Sequence, residues 1–248
     1  MPTDGENQED DPELTLRPAV AEDLDAVLQV YTAAATGPGR PADERPEPPV
    51  RDWVSRLLEH PELWVATAEG AVVGFVHLDG DWLDQLFVHP DHQGRGVGRA
   101  LLELAMALRP RGFGLRVHEA NTRARAFYTR SGLVELEHTD GSSYSDGSPD
   151  VQMAWLGEDP LAYLRRRIDE VDAEVAVLLA RRVALTAAVQ ERKAVGGLAG
   201  RDLRREQEIV ERMARRVPEL GADRIARVMH TVIEESLAAW EDRPERPS

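Results

Sequence analysis

The sequence predicts an α+β domain followed by an all-α domain. Strands, glycines and turn residues are spread through residues 13–157, whereas residues 158–242 have helical periodicity with few glycines and prolines. A chain of 248 residues is long enough for two small domains. We therefore expect a boundary near Gly157. Residues 1–12 are predicted to form a disordered acidic tail, and residues 243–248 a second tail.

The amino-acid composition excludes proteins that depend on cysteine. The chain contains no cysteine, which excludes a disulfide framework, thiolate metal sites and a cysteine nucleophile. We predict no metal site.

The absence of an 18-residue apolar run and the acidic start predict a cytoplasmic protein without a membrane span or an export signal. The net charge is −15, with 27 acidic and 13 basic side chains before residue 158. The negative electrostatic field of this acidic part repels nucleic acid and favours cationic or amine partners.

The first part of the α+β domain is predicted to contain two helices and a hairpin. Apolar residues recur with helical spacing over residues 21–34. The proline-rich stretch at residues 37–49 is expected to be a loop, because proline interrupts helices and central strands. Glu69-Gly70 separates two β-rich runs and indicates a hairpin turn. The remaining predictions here are a helix at residues 50–58 and strands at residues 63–68 and 71–78.

A glycine-rich loop joins a predicted strand to a predicted helix. The apolar strand Trp82–Val88 continues through His89-Pro90 into Gln93-Gly94-Arg95-Gly96-Val97-Gly98, and a helix follows over residues 99–108. Glycines let the backbone approach a ligand closely, and free N–H groups at a helix start attract a pyrophosphate. An ordinary strand-to-helix turn has the same composition, so this loop alone leaves both interpretations open.

A second strand-to-helix segment follows the predicted strand Phe113–His118. Asn121 is placed to cap a helix, and Tyr128 lies about two turns further on the same face. One interpretation of Tyr128 is a packed aromatic next to Phe127. Of the two aromatic residues, Phe127 is the better candidate for the core. Residues 135–155 have the pattern of a hairpin with a long polar turn.

These segments resemble the GNAT acetyltransferase superfamily over about residues 13–156. Gln93, Gly96 and Gly98 match its Q/R-x-x-G-x-G loop, and residues 121–133 match its next motif. The resemblance implies a mixed, mostly antiparallel sheet with flanking helices, and acetyl-CoA as the cofactor. It assigns acetyl-CoA binding to nine residues: Phe87, Val88, Gln93, Gly94, Arg95, Gly96, Val97, Gly98 and Asn121.

The reaction implied by this resemblance is attack of a neutral amine on the thioester carbonyl, which backbone N–H groups polarise. Tyr128 is expected to protonate the departing thiolate. Asp84, His118 and Glu119 stay open as candidates for a general base, each with an alternative as a solvated or packing residue. The proline-rich loop is expected to border the pocket for the amine, which the sequence does not identify.

A heptad seam opens the all-α domain. From Leu161 to Val189 the apolar residues recur at alternating steps of three and four. No glycine or proline interrupts the stretch before Gly196, so a helix of about 50 Å is predicted. A helix of this length cannot bury its apolar stripe inside a domain of about 85 residues. We therefore expect a homodimer formed through residues 158–240.

Arg182 interrupts the seam, because it places a guanidinium where an apolar side chain is expected. Burying an unpaired charge is costly, so Arg182 indicates an anion site within a helical bundle. The alternative is a side chain that reaches the surface. Lys193 lies about three turns further, near the same face. It is the one lysine beside 29 arginines.

Residues 159–240 resemble the all-helical chorismate mutases. Residues 159–182 match the first helix of that family, and Lys193, the D-x-x-R-E motif at residues 202–206 and Ser236 match its later motifs in spacing. The resemblance implies three helices in an intertwined dimer that binds chorismate or an amino analogue, and that converts chorismate to prephenate without a cofactor. In this resemblance Arg182, Arg205 and the other subunit's copy of Arg165 bind the two carboxylates of the substrate. Lys193 contacts the ether oxygen, and Glu206 binds the ring hydroxyl. Asp202 and Ser236 assist.

Trp240 departs from the family pattern, which has glutamine or glutamate four residues after the serine. Ser236 and Trp240 share a helical face, so the indole is expected to enter the pocket or to fill it. Three hypotheses stay open. The chain is a bifunctional enzyme linked to the shikimate pathway and aromatic amino acid biosynthesis, an acetyltransferase whose helical domain dimerises or senses an aromatic metabolite, or a mutase with a degenerate acetyltransferase module. The fusion suggests, by association alone, that the acceptor is an aromatic amine or amino acid.

Overall fold

The computed structural model describes residues 14–35, 47–139, 141, 147–193 and 201–243, with residues 47–49 described by their backbone alone. The chain divides into two compact units, Met1–Arg165 and Arg166–Ser248. The predicted acidic tail, most of the loop predicted at residues 37–49, most of the polar turn of the last hairpin, Gly196 and nearly all of the second tail lie outside the described residues. The domain boundary near Gly157 stays a prediction.

The described helices and strands include each one predicted for the first unit. The α-helices and strands of both units are, in chain order, β1 (Thr15–Pro18), α1 (Leu24–Ala35), α2 (Glu47–Leu58), β2 (Leu63–Ala68), β3 (Ala71–Asp79), β4 (Trp82–Val88), α3 (Val97–Leu108), β5 (Phe113–His118), α4 (Thr122–Arg130), β6 (Val134–Thr139), β7 (Asp150–Trp155), α5 (Pro160–Gln190), α6 (Leu203–Ala214) and α7 (Gly221–Glu241).

Two features of the first unit differ from the sequence prediction. The short edge strand β1 was not predicted, because its four residues carry too little periodicity. Helix α2 begins at Glu47, inside the stretch predicted to be a loop. Its two prolines lie in the first turn, where the backbone N–H that proline lacks has no intrahelical partner in any case.

A seven-stranded sheet of order β1-β2-β3-β4-β5-β7-β6 forms the centre of the first unit. Neighbouring strands are antiparallel except β4 and β5, which are parallel. The predicted mixed, mostly antiparallel sheet is therefore confirmed. Glu69 and Gly70 join β2 to β3 with φ angles of 52° and 81°. These left-handed conformations are the ones that a tight hairpin turn requires.

Helices cover both faces of the sheet. On one face, Leu101 and Leu102 of α3 pack with Val76 and Leu78 of β3 in one core cluster. On the other face, α1 and α2 pack against a second cluster that includes Phe75 of β3. Gly74 allows the close approach of α3. A Cβ at this position would lie 2.9 Å from the carbonyl oxygen of Phe87 and 3.1 Å from the side chains of Val97 and Leu101.

The described part of the second unit is helical, as the sequence predicts. Val210 of α6 packs with apolar residues of α7, among them Ile225 and Met229. The seam of α5 is exposed instead: Ile168, Val171, Val175, Leu178, Leu185 and Val189 are 58%, 57%, 45%, 61%, 59% and 51% exposed. None of the described helices combines the length and apolar character that crossing a bilayer requires.

Candidate functional sites

The parallel strands β4 and β5 pair at one position. Trp82 lies opposite Gly114, and the register of these fully described strands contains no further pair. A Cβ on Gly114 would lie 3.1 Å from the indole of Trp82, so glycine lets the ring pack across this closed end. The Arg116 guanidinium covers the same ring at 5.3 Å. The strands therefore leave an opening toward their carboxyl ends, the edge at which α/β sheets bind ligands.

The glycine loop borders this opening. Gly94 and Gly96 have φ angles of 80° and 83°, which L side chains rarely adopt. A Cβ at either position would meet no atom within 4 Å, so the loop faces open space. Gly96 precedes the first turn of α3 and provides no side-chain cap. The Gln93 side-chain amide donates to the Val88 carbonyl oxygen at 3.1 Å and ties the loop to β4. Arg95 is exposed.

The other residues assigned to acetyl-CoA next to this loop are buried. Phe87 is 4% exposed, Val88 is 9% exposed and Val97 is 4% exposed. The Phe87 ring lies 5.1 Å from Tyr31, between ring centres, and belongs to the cluster under α1 and α2. Any contact of these three residues with a ligand would therefore come from their backbone.

Helix α4 begins with the predicted cap. Asn121 Oδ1 accepts a hydrogen bond from the Ala124 N–H at 3.1 Å. Tyr128 is 8% exposed and belongs to the core cluster, whereas Phe127 is partly buried against it. The prediction that Phe127 is the better core residue was therefore wrong. The reason is the orientation of α4: Ala124 and Tyr128, one turn apart, both contact this core, whereas the Phe127 ring lies near Gly98 at the start of α3.

The three candidate bases have different surroundings. Asp84 Oδ2 lies 3.1 Å from Nδ1 of His77. This hydrogen bond lowers the pKa of Asp84, against the opposing effect of burial. Glu119 is half-exposed and lies 3.3 Å from Nδ1 of the exposed His138. His118 is partly buried at the end of β5.

A second polar cluster lies between the helices of the second unit. Arg182 is partly buried, and its Nη1 donates to Ser236 Oγ at 2.7 Å and to the Val232 carbonyl oxygen at 3.1 Å. Burial lowers the pKa of Arg182, and the Glu206 carboxylate opposes this decrease. Ser236 is 2% exposed. Arg182, Ser236 and Glu206, which were predicted from scattered motifs, therefore lie close to one another.

Glu206 is held by Arg201, for which the sequence predicts no role. Arg201 donates from Nε and Nη2 to the two Glu206 oxygens at 2.9 and 2.5 Å. It also donates to Glu234 Oε1 at 3.3 Å, and its Nη2 lies 3.3 Å from His230 Nδ1. The hydrogen bond from Arg201 lowers the pKa of Glu206, against burial. The signal in the sequence was an arginine directly before the D-x-x-R-E motif.

The remaining predicted residues of the helical site differ in exposure and function. Asp202 caps α6 by accepting the Arg205 N–H at 3.0 Å. Arg205, Lys193 and Arg165 are exposed, and Arg165 is the last residue of the first unit. Trp240 is partly buried on α7, one turn after Ser236.

Two family models match the chain. One, described as an acetyltransferase (GNAT) domain, matches residues 59–134, and the other, chorismate mutase type II, matches residues 164–240. The chain is 34% identical over 109 residues to the peptidyl-lysine N-acetyltransferase YjaB of Escherichia coli (strain K12), a match that covers 44% of this chain and 74% of that protein. The chain belongs to the GNAT acetyltransferases. It also contains a chorismate mutase type II domain, which follows the GNAT domain.

Further relatives match the GNAT part. Peptidyl-lysine N-acetyltransferase YjaB of Salmonella typhimurium is 42% identical over 85 residues, which are 34% of this chain and 58% of that protein. The matched segment thus spans less than two thirds of the Salmonella relative. The solution structure of apo-form YjaB from Escherichia coli is similar to this GNAT protein with a TM-score of 0.50 and 28% identity, covering 58% of this chain and 99% of that one.

The GNAT fold implies acetyl-CoA as the co-substrate. The glycine loop fits this molecule, because two glycines with positive φ face open space at a helix N-terminus. Backbone N–H groups in that arrangement bind phosphate.

Proposed function

We propose that the protein is bifunctional. The GNAT domain transfers an acetyl group from acetyl-CoA to an amine, and the helical domain rearranges chorismate to prephenate. The first activity rests on the opening between β4 and β5 with the glycine loop at its mouth. The second rests on Arg182, a cation that is hydrogen-bonded between helices in an otherwise apolar seam.

In the acetyl transfer, the backbone from Gly94 to Gly98 and the start of α3 hold the pyrophosphate of acetyl-CoA. The exposed Arg95 adds a positive charge, and Asn121 contacts the same molecule from the start of α4. Backbone N–H groups at the edge of β4 polarise the thioester carbonyl. Tyr128 protonates the departing thiolate.

The acceptor is a cationic amine of the lysine side-chain type. Residues 1–157 carry an excess of 14 acidic side chains, which attracts an ammonium group. Two relatives of this domain are named peptidyl-lysine N-acetyltransferases, which supports the same class of acceptor.

Acetylation of a short peptide, N-acetyl-Gly-Lys-Gly-amide, tests this half of the proposal. Purified protein with acetyl-CoA should acetylate the lysine side chain, followed by release of free thiol and by mass spectrometry. Phenylalanine in place of the peptide tests the aromatic acceptor suggested by the fusion. Failure of the protein to acetylate any amine in a panel that also includes spermidine would overturn the acetyltransferase proposal.

The mutase reaction needs no nucleophile and no proton transfer, so the site has to hold the reactive conformer and stabilise developing charge. Arg182 binds a substrate carboxylate, and Glu206 accepts a hydrogen bond from the ring hydroxyl. Ser236 supports Arg182 through their 2.7 Å hydrogen bond. Lys193, Arg205, Asp202 and Arg165 of a second subunit complete the site that the family resemblance implies.

The exposed seam of α5 supports a homodimer. Each of its six side chains from Ile168 to Val189 is about half-exposed, and burying the remaining surface stabilises by about 1 kcal/mol per side chain. A second copy of the same seam is the occupant that the repeat predicts. In this arrangement each site takes Arg165 from the other subunit.

A second function for the helical domain is supported by Trp240. The indole is partly buried on the face that carries Ser236, in a place where a smaller polar side chain is expected. If the ring fills the pocket, this domain dimerises the enzyme or binds an aromatic metabolite without turnover. Tight binding of chorismate without formation of prephenate would favour this alternative.

A further inference from the structure

A buried imidazole lies beside the closed end of the opening between β4 and β5. His77 is on β3, and its side chain is 6% exposed. Its Nδ1 is 3.1 Å from Oδ2 of Asp84, which lies on β4 two residues after Trp82. The GNAT mechanism outlined above assigns no role to His77.

The hydrogen bond to Asp84 selects the tautomer of the neutral His77 ring. A carboxylate accepts and does not donate, so Nδ1 carries the proton and Nε2 of the neutral ring presents a lone pair. Nε2 is buried and has no hydrogen-bond partner among the described residues. An unsatisfied polar atom of this kind is costly in a folded protein and calls for a partner. The arrangement resembles that of a histidine base oriented by a carboxylate.

Strand geometry brings this pair to the reacting end of the opening. The β3–β4 register shifts between His77, opposite Gln85, and Leu78, opposite Leu83, so Asp84 is the extra residue of a bulge. The last pair between β4 and β5 is Trp82 with Gly114. The unpaired part of β4 and β5 therefore ends beside Asp84. A thioester that enters from the carboxyl ends of these strands can move no further than this residue.

The face of the sheet is also suitable for a base. His77 and Phe75 are two residues apart on β3 and point to the same face, where α1 and α2 pack. The glycine loop leads into α3 and the opposite face. His77 and the helix that follows the glycine loop therefore lie on opposite faces of the sheet.

We propose that His77 is the general base of acetyl transfer and that Asp84 is its positioning residue. This inference rests on the proposed acetyltransferase function. His77 Nε2 takes one proton from the acceptor ammonium and passes it to solvent. The neutral amine then forms the C–N bond, and the C–S bond breaks with its electron pair leaving on sulfur. The freed His77 Nε2 takes the second proton from the nitrogen, Tyr128 protonates the thiolate, and the proton on His77 returns to the Tyr128 oxygen through solvent.

Other titratable groups surround His77. The His60 ring packs at right angles to it, with 4.5 Å between ring centres, and lies 4.0 Å from the Asp79 carboxylate. Glu62 is neutralised by Arg109 at 2.5 Å. Asp84 is the carboxylate that contacts His77 directly, and the same hydrogen bond keeps the pKa of Asp84 low. Asp84 is therefore the carboxylate whose removal should free the His77 ring to change its orientation.

The full-length variants His77→Gln and Asp84→Asn test the assignment, with N-acetyl-Gly-Lys-Gly-amide as acceptor. His77→Gln should lower kcat by about 10²-fold at neutral pH, the usual contribution of a general base. Its KM for acetyl-CoA should stay unchanged, because His77 does not contact the glycine loop. The rise of kcat/KM with pH in the parent should be lost in this variant. The matched control His138→Gln removes an exposed imidazole on the edge strand β6 and should retain the parent rate.

Asp84→Asn keeps the proposal testable if His77→Gln does not fold, because Asp84 is half-exposed. Its kcat should fall by about 10-fold or more while its KM for acetyl-CoA stays unchanged, because Asp84 orients the His77 ring and lies on β4 before the glycine loop. A parent that acetylates no amine overturns the proposed function, and this inference with it. An active parent with unchanged rates and pH profiles in folded His77→Gln and Asp84→Asn overturns the inference alone.

Discussion

Replacing Gly96 by alanine should separate the stability of the glycine loop from its binding of acetyl-CoA. Gly96 has φ 83°, and no atom lies within 4 Å of the position of an added Cβ. The methyl group therefore meets no obstacle in the free protein, and the cost is that of a left-handed L residue, about 1–2 kcal/mol. In a protein of this size that cost lowers Tm by roughly 2–8 °C.

The effect on binding should be larger. The added methyl group projects into the open space assigned to the pyrophosphate. Holding the phosphate off one backbone N–H removes a charge-assisted hydrogen bond, which contributes about 1.5–3 kcal/mol, or roughly 10- to 100-fold in Kd. At a concentration of acetyl-CoA 100 times the parent Kd, the ligand stabilises the parent by about 2.7 kcal/mol. After a 100-fold loss of affinity, the same concentration stabilises the variant by about 0.4 kcal/mol.

Gly70→Ala is the matched control. Gly70 has φ 81° with the same open surroundings, but it lies in the turn between β2 and β3. Thermal unfolding with and without acetyl-CoA should show similar losses of Tm for the two variants, with the full ligand-induced shift in Gly70→Ala and only a small one in Gly96→Ala. A full shift in Gly96→Ala would refute the assignment of the loop to the pyrophosphate.

Four further predictions concern the two domains. Asn121→Ala removes the cap of α4 and should cost about 1 kcal/mol in urea unfolding; an unchanged midpoint would contradict this role. Glu206 has a lowered pKa in the folded protein, so its pairing with Arg201 stabilises at neutral pH and is lost as the pH falls through that lowered pKa. In Arg201→Gln the free energy of unfolding should therefore decrease less as the pH falls. The same pH dependence in the parent and the variant at acidic pH would argue against the pair. Trp240→Gln should raise chorismate turnover if the indole fills the pocket, whereas a fast parent weakened by this change would show that the indole takes part in the site. Mixing Arg165→Ala and Lys193→Ala subunits should restore one intact mutase site per mixed dimer, and no recovery at any ratio would exclude a shared site.

Local sequence signals predicted the parts of the fold that depend on neighbouring residues. The hairpin turn at Glu69-Gly70, the cap at Asn121 and the glycine loop each follow from a conformation that few residue types adopt. Helix α2 was placed too late because the prolines were read as a loop signal, although proline is tolerated in the first turn of a helix.

The contacts that define the candidate sites depend on residues far apart in the chain. The opening between β4 and β5 arises from long-range pairing at Trp82 and Gly114, which no local pattern specifies. The His77–Asp84 pair depends on a bulge, and its signal was a histidine between the apolar residues Val76 and Leu78 of β3. The break in the heptad seam predicted Arg182, and the family resemblance added Ser236 and Glu206, but neither indicated that Arg201 donates to both Glu206 oxygens.

Proton NMR of one reaction mixture tests the bifunctional proposal most directly. The mixture contains the purified protein, acetyl-CoA, N-acetyl-Gly-Lys-Gly-amide and chorismate, and a parallel sample contains Arg182→Leu. We predict that the acetyl resonance moves from the thioester to the peptide amide in both samples, and that chorismate is converted to prephenate faster than in buffer in the parent sample alone. Acetyl transfer with chorismate loss no faster than in buffer would contradict the bifunctional account and leave the helical domain as a binding or dimerisation module.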